Sequence, residues 1–280
     1  MARRGRQFQL AFFTPMPIPV ISRAFNFPVG AIPIAEGIVE HVFRASYDES
    51  EQTYLVKEFA APPITAVPLL VILLHGAKSH QQQGMTAGIY GDAFVRLARE
   101  WEARQAVLIC PEYRGNSWMS AAAESDLLDI FRIATARYRP QRILLMGGSM
   151  GGTSSLIFAA RHSDLMHGVL ALCPATDVAE MFPLFPEHFL TAYGASPQEA
   201  PAAYRERSTR YCAQNLAALP LAIVHGTDDV IIPIHHARLL VEELNQLNAP
   251  LLYEEIADGN HDAPIYIPLG RFIDFALQNT

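Results

Sequence analysis

Continuous apolar runs, separated by segments with helical periodicity, constrain the fold of this chain more than any other feature. The runs cover residues 69–74, 106–110, 143–146, 168–173, 219–224 and 251–256. Apolar runs without alternation are typical of strands that are buried on both faces, as in a parallel sheet. Segments with the spacing of helices lie at residues 88–103, 122–138, 150–162, 234–247 and 263–278. Strands that alternate with helices predict an α/β fold, a parallel sheet with helices on both faces.

Two segments that alternate between apolar and polar residues come before these runs. They cover residues 38–45 and 52–59, and this alternation predicts half-buried antiparallel strands. The expected domain therefore spans residues 36–280 and contains an eight-stranded, mostly parallel sheet. We interpret residues 1–35 as an apolar N-terminal arm that packs along the domain surface. The alternative, a removed signal peptide, is disfavoured by the prolines that break its apolar region, Pro15, Pro17 and Pro19.

The alternation of strands and helices stops after the sixth of these predicted strands. Between Pro174 and Leu219, repeated prolines interrupt any long element. This segment is longer than an ordinary connection, and insertions of that length are usually lids or binding loops. We therefore predict a cap over residues 176–215. Its aromatic side chains supply large apolar faces, and we expect three of them to line the substrate pocket: Phe182, Phe185 and Phe189.

The composition excludes several classes of protein. Half of the 280 residues are hydrophobic, which excludes a disordered chain. The net charge of −7, without a dense basic surface, argues against a nucleic-acid partner. The longest uncharged stretch, residues 59–77, is interrupted by prolines, so no integral membrane segment is expected.

The cysteines Cys110, Cys173 and Cys212 are odd in number and far apart along the sequence. They predict neither a disulfide framework nor a zinc site of paired cysteines. We interpret Cys110 and Cys173, which lie in apolar runs, as buried structural thiols in a reducing compartment. This interpretation predicts a cytoplasmic location.

One predicted strand leads directly into a glycine-rich turn. Residues 142–146 are followed by Gly147-Gly148-Ser149-Met150-Gly151 and then by a helix. This is the G-x-S-x-G pattern in the strand-turn-helix context of a nucleophile elbow, a strained turn in which flanking glycines avoid a clash. A phosphate-binding loop is excluded because the Lys-Ser/Thr pair that it needs is missing. Ser149 is therefore the candidate nucleophile.

A serine hydroxyl needs a base to accept its proton and an acid to orient that base. Both candidates, Asp229 and His261, follow predicted strands nearer the C-terminus. Asp228 and Asp177 are alternative acids. We favour a loop-stabilising role for Asp228, and Asp177 is the weaker alternative. The sequence therefore predicts a triad in the chain order Ser149, Asp229, His261.

These motifs and their order resemble those of α/β-hydrolases over the chain from about residue 69 to the C-terminus. Within that superfamily, residues 147–152 and 225–233 are most similar to carboxylesterases and to the catalytic domain of the prolyl oligopeptidase family. The resemblance implies an α/β-hydrolase fold with a cap insertion after the sixth strand. It also implies Asp229 as the acid, because in these families the acid stands four residues after the histidine of a His-Gly-Thr motif, here His225.

An oxyanion hole requires preorganised hydrogen-bond donors. We expect one at the backbone NH of Met150, directly after the nucleophile, and a second at the backbone NH of Ala77. The Ala77 loop lacks the full His-Gly-Gly-Gly run of one esterase group and the tyrosine of oligopeptidase relatives. Arg114 is a candidate for binding a substrate carboxylate, although an internal ion pair is the favoured interpretation.

The residues together predict a serine esterase that cleaves small-molecule carboxylic esters through an acyl-enzyme intermediate. No cofactor or metal is required, and the adjacent His235 and His236 are not expected to face one metal. The first alternative is an oligopeptidase-like serine peptidase, although the segment before residue 69 is too short for the β-propeller of those relatives. A non-catalytic α/β-hydrolase that acts as a binding protein is the alternative outside enzymes.

Overall fold

The computed structural model describes residues 20–24, 37–60, 66–85 and 92–278. Nine strands in this part of the chain form one sheet in the order β1-β2-β3-β5-β4-β6-β7-β8-β9. The strands are β1 (Val20–Ala24), β2 (Val39–Arg44), β3 (Glu51–Glu58), β4 (Leu69–Leu74), β5 (Ala106–Pro111), β6 (Arg142–Gly148), β7 (Gly168–Leu172), β8 (Leu221–Gly226) and β9 (Leu251–Ile256). The three pairings from β1 to β5 are antiparallel, and the remaining pairings are parallel. The predicted mostly parallel sheet is confirmed.

The sheet has one strand more than the eight predicted. The additional strand, β1, lies within the residues that were assigned to the N-terminal arm, and it pairs antiparallel with β2. With 5 residues it is too short to give a clear alternation, which explains why periodicity did not reveal it. The rest of the arm, residues 1–19 and 25–35, lies outside the described residues.

Helices lie on both faces of the sheet. They are α1 (Asp92–Ala103), α2 (Ala121–Tyr138), α3 (Met150–Arg161), α4 (Val178–Met181), α5 (Pro186–Tyr193), α6 (Pro201–Glu206), α7 (His235–Gln246), α8 (Ala263–Tyr266) and α9 (Gly270–Ala276). One face packs against α2, α3 and α7, and the other packs against α1 and α9. The helix predicted over residues 263–278 is divided into α8 and α9, because Pro268 interrupts it. In the described ranges, no helix has the length and apolarity needed to cross a membrane.

Strand β4 explains why the central strands appear as unbroken apolar runs. Its side chains alternate between the two faces, and each face contributes to a separate part of the core. Leu70, Ile72 and Leu74 pack on the side of α3, and the intervening Leu69, Val71 and Leu73 pack on the side of α1. Burial on both sides therefore requires apolar residues at every position.

The segment predicted as a cap, residues 176–215, contains α4, α5 and α6. Phe189 of α5 is fully buried, and its ring centroid lies 4.9 Å from that of Trp118, which comes shortly before α2. Tyr204 of α6 lies 4.9 Å from Tyr193 and 5.7 Å from Phe189 by the same measure. We call Trp118, Phe182, Phe189, Tyr193 and Tyr204 the aromatic cluster. These ring contacts attach the short helices to the main domain.

Candidate active site

The parallel strands of the sheet end at one edge, so the loops that follow them lie side by side. The turn between β6 and α3 carries Ser149, whose backbone has φ 58° and ψ −124°. A serine rarely adopts a positive φ, and this strain is the property expected of a nucleophile elbow. The Ser149 amide donates a hydrogen bond of 2.9 Å to the Leu172 carbonyl of β7, which fixes the turn against its neighbour strand.

At two positions of this turn, nearby backbone atoms leave no room for a side chain, so only glycine fits there. A Cβ atom at Gly147 would lie 2.5 Å from the carbonyl carbon of Gly151 and 2.7 Å from the carbonyl oxygen of Leu74. A Cβ atom at Gly151 would overlap the same Leu74 carbonyl. Gly148 is different, because its added Cβ would meet only the Leu172 side chain at an ordinary 3.8 Å. The end of β4 therefore excludes side chains at Gly147 and Gly151 but not at Gly148.

Asp229 and His261 come from the loops after β8 and β9, and their side chains are hydrogen-bonded. Nδ1 of His261 lies 2.7 Å from Oδ2 of Asp229. The other carboxylate oxygen accepts hydrogen bonds from the backbone amides of Ile231 and Ile232, both at 2.9 Å. Nε2 of His225 lies 3.2 Å from Oδ2. These contacts hold a fully buried carboxylate in one orientation.

The pKa values of the two side chains shift in opposite directions. Burial raises the pKa of Asp229, but hydrogen bonds from His225, His261 and Ile232 outweigh burial and hold this pKa well below its usual range. Burial lowers the pKa of His261, but the hydrogen bonds and charges of Asp229 and Cys173 together outweigh burial and raise this pKa above the ordinary value. An ionised carboxylate thus faces an imidazole of increased basicity, an arrangement suited to proton transfer.

The two alternative acids lie elsewhere. Asp228 is exposed, and its backbone amide donates to the Gly259 carbonyl at 2.9 Å. Asp177 caps α4 by accepting from the Ala179 amide at 3.1 Å, and it also accepts from the Tyr211 hydroxyl at 2.9 Å. Among the hydrogen bonds of the described residues, neither carboxylate contacts a histidine of the triad region. The structure brings Asp229, and not these alternatives, next to His261.

The two predicted oxyanion donors lie at the expected edge of the sheet. α3 begins at Met150, directly after Ser149, and Ala77 lines the same cavity as Ser149. Over the described ranges, neither backbone amide donates to another group. The amides on both sides of Ala77 are occupied, Gly76 by the Gln83 side chain at 2.7 Å and Lys78 by the Asn116 side chain at 2.6 Å. The amides of Met150 and Ala77 therefore remain available to a ligand.

A cavity of about 510 Å³ opens beside Ser149 and His261. Its inner wall is apolar and lies between the sheet and α1; the residues are Leu73, Phe94, Leu97, Met146, Leu172 and Ile265. Its mouth is lined by Leu184, Phe185, Val230 and Ile231. Lys78 and Asp262 are the charged side chains of the described lining, apart from the titratable His261. A cavity of this size and polarity suits a small ligand with an apolar group.

Of the three aromatic side chains predicted to bind substrate, Phe185 belongs to the described lining. Phe189 is fully buried in the aromatic cluster, and the ring centroid of Phe182 lies 6.4 Å from that of Phe189. The structure therefore does not bring Phe182 and Phe189 to the cavity. Composition cannot separate the two situations, because aromatic side chains of a cap either face a ligand or pack on one another.

Sequence reasoning missed the inner wall and Cys173. Phe94 and Leu97 lie in a predicted helix without any sign that it faces a cavity. Cys173, interpreted above as a structural thiol, directly follows β7, has φ 40°, and lines the cavity. Its Sγ donates to the His261 carbonyl at 3.3 Å. Its place at the carboxyl end of a predicted parallel strand, the edge where Asp229 and His261 also lie, is the sequence observation that could have revealed it.

Arg114 and the adjacent histidines lie in ion-pair networks. Arg114 pairs with Asp48 at 2.7 Å and with Asp126 at 2.5 Å, the internal role favoured from the sequence. The rings of His235 and His236 stack with centroids 4.5 Å apart. Their Nε2 atoms lie 2.7 Å and 3.8 Å from the same carboxylate oxygen of Glu180, a convergence that their adjacency in the sequence did not predict. They lie in the first turn of α7, where no preceding turn constrains their side chains.

Among the described residues, two groups of side chains have donor atoms arranged so that they could hold a metal ion. Within each group these atoms lie within 4.8 Å of one another. One group is Cys173, Asp229 and His261, and the other is Glu180, His235 and His236. The first group shares two members with the predicted triad.

The sheet, its order and the elbow define an α/β-hydrolase. The model of the prolyl oligopeptidase family (Peptidase S9) matches residues 107–269. The chain is 26% identical over 199 residues to the uncharacterized peptidase YtmA of Bacillus subtilis (strain 168), covering 64% of this chain and 76% of that relative. This chain belongs to the prolyl oligopeptidase family and is a serine hydrolase.

Solved structures share the fold at lower identity. The substrate-bound fluorophosphonate-binding serine hydrolase F (FphF) of Staphylococcus aureus has a TM-score of 0.67 and 17% identity, over 87% of this chain and 99% of that one. The acylaminoacyl peptidase of Pyrococcus horikoshii has a TM-score of 0.64 and 16% identity, over 86% of this chain and 40% of that one. The first similarity spans nearly a whole hydrolase, and the second spans less than half of a larger peptidase.

Proposed function

We propose that this serine hydrolase cleaves carboxylic esters, with Ser149 as the nucleophile, His261 as the general base and acid, and Asp229 as the group that orients His261. The observation that carries the proposal is the largely apolar cavity of about 510 Å³ beside Ser149. The apolar side chains that line this cavity stabilise the acyl or alcohol group of an ester by removing it from water. The described part of its lining offers few charged partners for the terminus of a peptide.

In the first half of the reaction, Oγ of Ser149 attacks the acyl carbon while Nε2 of His261 accepts the hydroxyl proton. Nδ1 of His261 keeps its own proton in the hydrogen bond to Asp229, which stabilises the imidazolium that forms. The carbonyl oxygen becomes an oxyanion, and the free amides of Met150 and Ala77 are the proposed donors to it. Because these two amides are held in place by the fold, they do not have to reorient as the negative charge develops on the oxygen.

The tetrahedral intermediate then collapses and breaks the bond to the leaving alcohol. His261 returns the proton to the departing oxygen, which leaves an acyl group on Ser149. A water molecule repeats the sequence, with His261 as base, and releases the carboxylic acid and the free serine. We assign the acyl group to the inner wall beside α1 and the leaving group to the mouth, where Phe185 provides the aromatic surface.

The second candidate function is cleavage of a peptide bond. It is supported by the peptidase name of the matched family and by the name of the bacterial relative. The proposed triad can attack either acyl carbon, so the two functions differ in the binding of the groups beside it. An exopeptidase must hold a charged peptide terminus. For this task the described lining of the cavity offers one side chain of each sign, Lys78 and Asp262, and most of its other residues are apolar.

A panel of p-nitrophenyl esters of increasing chain length, assayed beside an aminoacyl p-nitroanilide, tests the proposal. We expect the ester kcat/KM to exceed that of the anilide by more than the difference seen for spontaneous hydrolysis of the same compounds. Faster turnover of the anilide would instead favour the peptidase. Absence of labelling by a fluorophosphonate probe would contradict both functions, because each requires an activated Ser149.

A further inference from the structure

Cys173 has no part in the proposed reaction, yet it lies against two residues of the triad. Its Sγ donates to the carbonyl of His261, and the side chain lines the cavity that contains Ser149. The Cys173 thiol, a ring nitrogen of His261 and a carboxylate oxygen of Asp229 lie within 4.8 Å of one another. A soft donor is thus placed beside the imidazole and carboxylate of the catalytic edge.

This donor set matches the preference of one class of metal ion. Thiolate, imidazole and carboxylate are the ligands of Zn²⁺, and soft thiolate favours Zn²⁺ and Cd²⁺ over Mg²⁺ or Ca²⁺. With zinc bond lengths of roughly 2.0–2.3 Å, neighbouring ligands of a tetrahedral site lie about 3.3–3.6 Å apart. The 2.7 Å contact between Asp229 and His261 would widen by about 0.6 Å, and the thiol, which lies within 4.8 Å of both, would settle about 3.6 Å from them. Side-chain movements of this size need no change in the fold.

We propose that Cys173, His261 and Asp229 form an inhibitory binding site for Zn²⁺ and similar thiophilic divalent ions. The ion takes the ring nitrogen and the carboxylate oxygen that otherwise share a proton in the triad. Binding releases the thiol proton of Cys173 to solvent, and the imidazole of His261 stays neutral because the proton that it loses from Nδ1 is replaced by one at Nε2. No electron is transferred, and a chelator that removes the ion restores the protonated thiol and the hydrogen bond. Ser149 loses its base while the ion is bound.

The inhibition is measured as the rate at which a fluorophosphonate probe labels Ser149 in chelator-treated protein, over a series of buffered free Zn²⁺ concentrations. This rate reports the activation of Ser149, so the test holds whether the substrate is an ester or a peptide. We expect Zn²⁺ to suppress labelling and a chelator to restore it. In Cys173→Ser, half-suppression should need at least about tenfold more Zn²⁺, relative to that variant's own rate without metal.

Two matched controls distinguish this site from others. Cys212→Ser removes a partly buried thiol outside the cavity lining, and His235→Ala disrupts the second donor group. Both variants should keep the wild-type response to Zn²⁺. Equal inhibition of the wild type and Cys173→Ser, or loss of inhibition in His235→Ala instead, overturns the assignment.

A second measurement decides the matter if Cys173→Ser does not fold. Ser149→Ala keeps all three donors, and Cd²⁺ bound to a thiolate gives an ultraviolet charge-transfer band that is independent of activity. We expect this band at one bound ion per chain in Ser149→Ala and in the double variant with Cys212→Ser. If Cd²⁺ produces no such band, the proposal is refuted. This result does not depend on whether Cys173→Ser folds.

Discussion

Two neighbouring regions at the carboxyl edge of the sheet carry large apolar side chains but differ in what those side chains face. In the aromatic cluster, Phe189 and Tyr204 are buried against other rings. At the mouth of the cavity, Leu184 is 57% exposed and Val230 is 89% exposed. Side chains that pack together stabilise the fold, whereas side chains that face a gap are available to a ligand. One insertion thus contributes both a structural contact and part of a binding surface.

The largest effect on activity should come from a substitution at the cavity. Ser149→Ala should lower kcat by about 10⁶-fold while leaving the melting temperature close to that of the wild type, because the hydroxyl is the attacking group and supports no packing. Turnover of p-nitrophenyl acetate and a thermal melt measure the two quantities. A remaining rate above about one hundredth of the wild-type value would identify another nucleophile.

The next largest effect on activity should distinguish two carboxylates that are adjacent in the sequence and lie near the cavity. Asp229→Asn should lower kcat by about 10⁴-fold, because an amide stabilises the wrong tautomer of His261. Asp228→Asn is the matched control, since Asp228 is exposed, and it should change kcat only a few-fold. The same ester assay, with circular dichroism to verify folding, compares them. A greater loss in the Asp228 variant would reverse the assignment of the acid.

The pH dependence tests the electrostatic contact within the triad. Below the pKa of His261, kcat/KM should fall about tenfold per pH unit, because the protonated ring cannot act as a base. Asp229 and Cys173 together outweigh the effect of burial on this pKa, so the midpoint should lie above the ordinary value of 6.5. NMR titration of His261 in Ser149→Ala measures this pKa, and adding Asp229→Asn should lower it. An unchanged pKa would show that Asp229 does not control the basicity of His261.

The aromatic cluster should respond in stability rather than in specificity. Phe189→Ala removes a fully buried ring and should lower the free energy of unfolding by about 3–5 kcal/mol. The relative kcat/KM values across the ester series should remain those of the wild type. Denaturant titration and the ester panel give both results. A changed chain-length preference without loss of stability would mean that the cluster binds substrate.

The smallest effect should come from the one cap aromatic that lines the cavity. In a series of esters of one acid whose alcohols increase in length, Phe185→Ala should alter the preference by about fourfold per methylene, the transfer free energy of one such group, because the leaving alcohol is assigned to the mouth. It should destabilise the protein less than Phe189→Ala, because Phe185 is only partly buried. The two variants therefore form a matched pair. If the two variants changed stability and ester preference to the same extent, the distinction between the cavity and the aromatic cluster would be wrong.

The sequence predicts the sheet and the positions of the three proposed triad residues because both depend on local patterns. Buried strands require apolar runs, and parallel strands bring Ser149, Asp229 and His261 to one edge whatever the details of packing. The inner wall with Phe94 and Leu97 depends instead on which face of the sheet leaves a gap, and periodicity does not encode this. For the same reason, the sequence does not show that Phe185 and Phe189 both contact Trp118 while only Phe185 of the two lines the cavity.

The contact between the elbow glycines and β4 determines how this turn can diverge over evolutionary time. Gly147 and Gly151 are held by the Leu74 carbonyl, which has no chemical role in the proposed reaction. Gly148 has room for a methyl group and does not need a positive φ, so alanine is compatible there. Lineages that keep this fold can therefore vary the position before the serine while the outer glycines stay fixed. The end of β4, which takes no part in the proposed reaction, therefore constrains the glycine spacing of this motif.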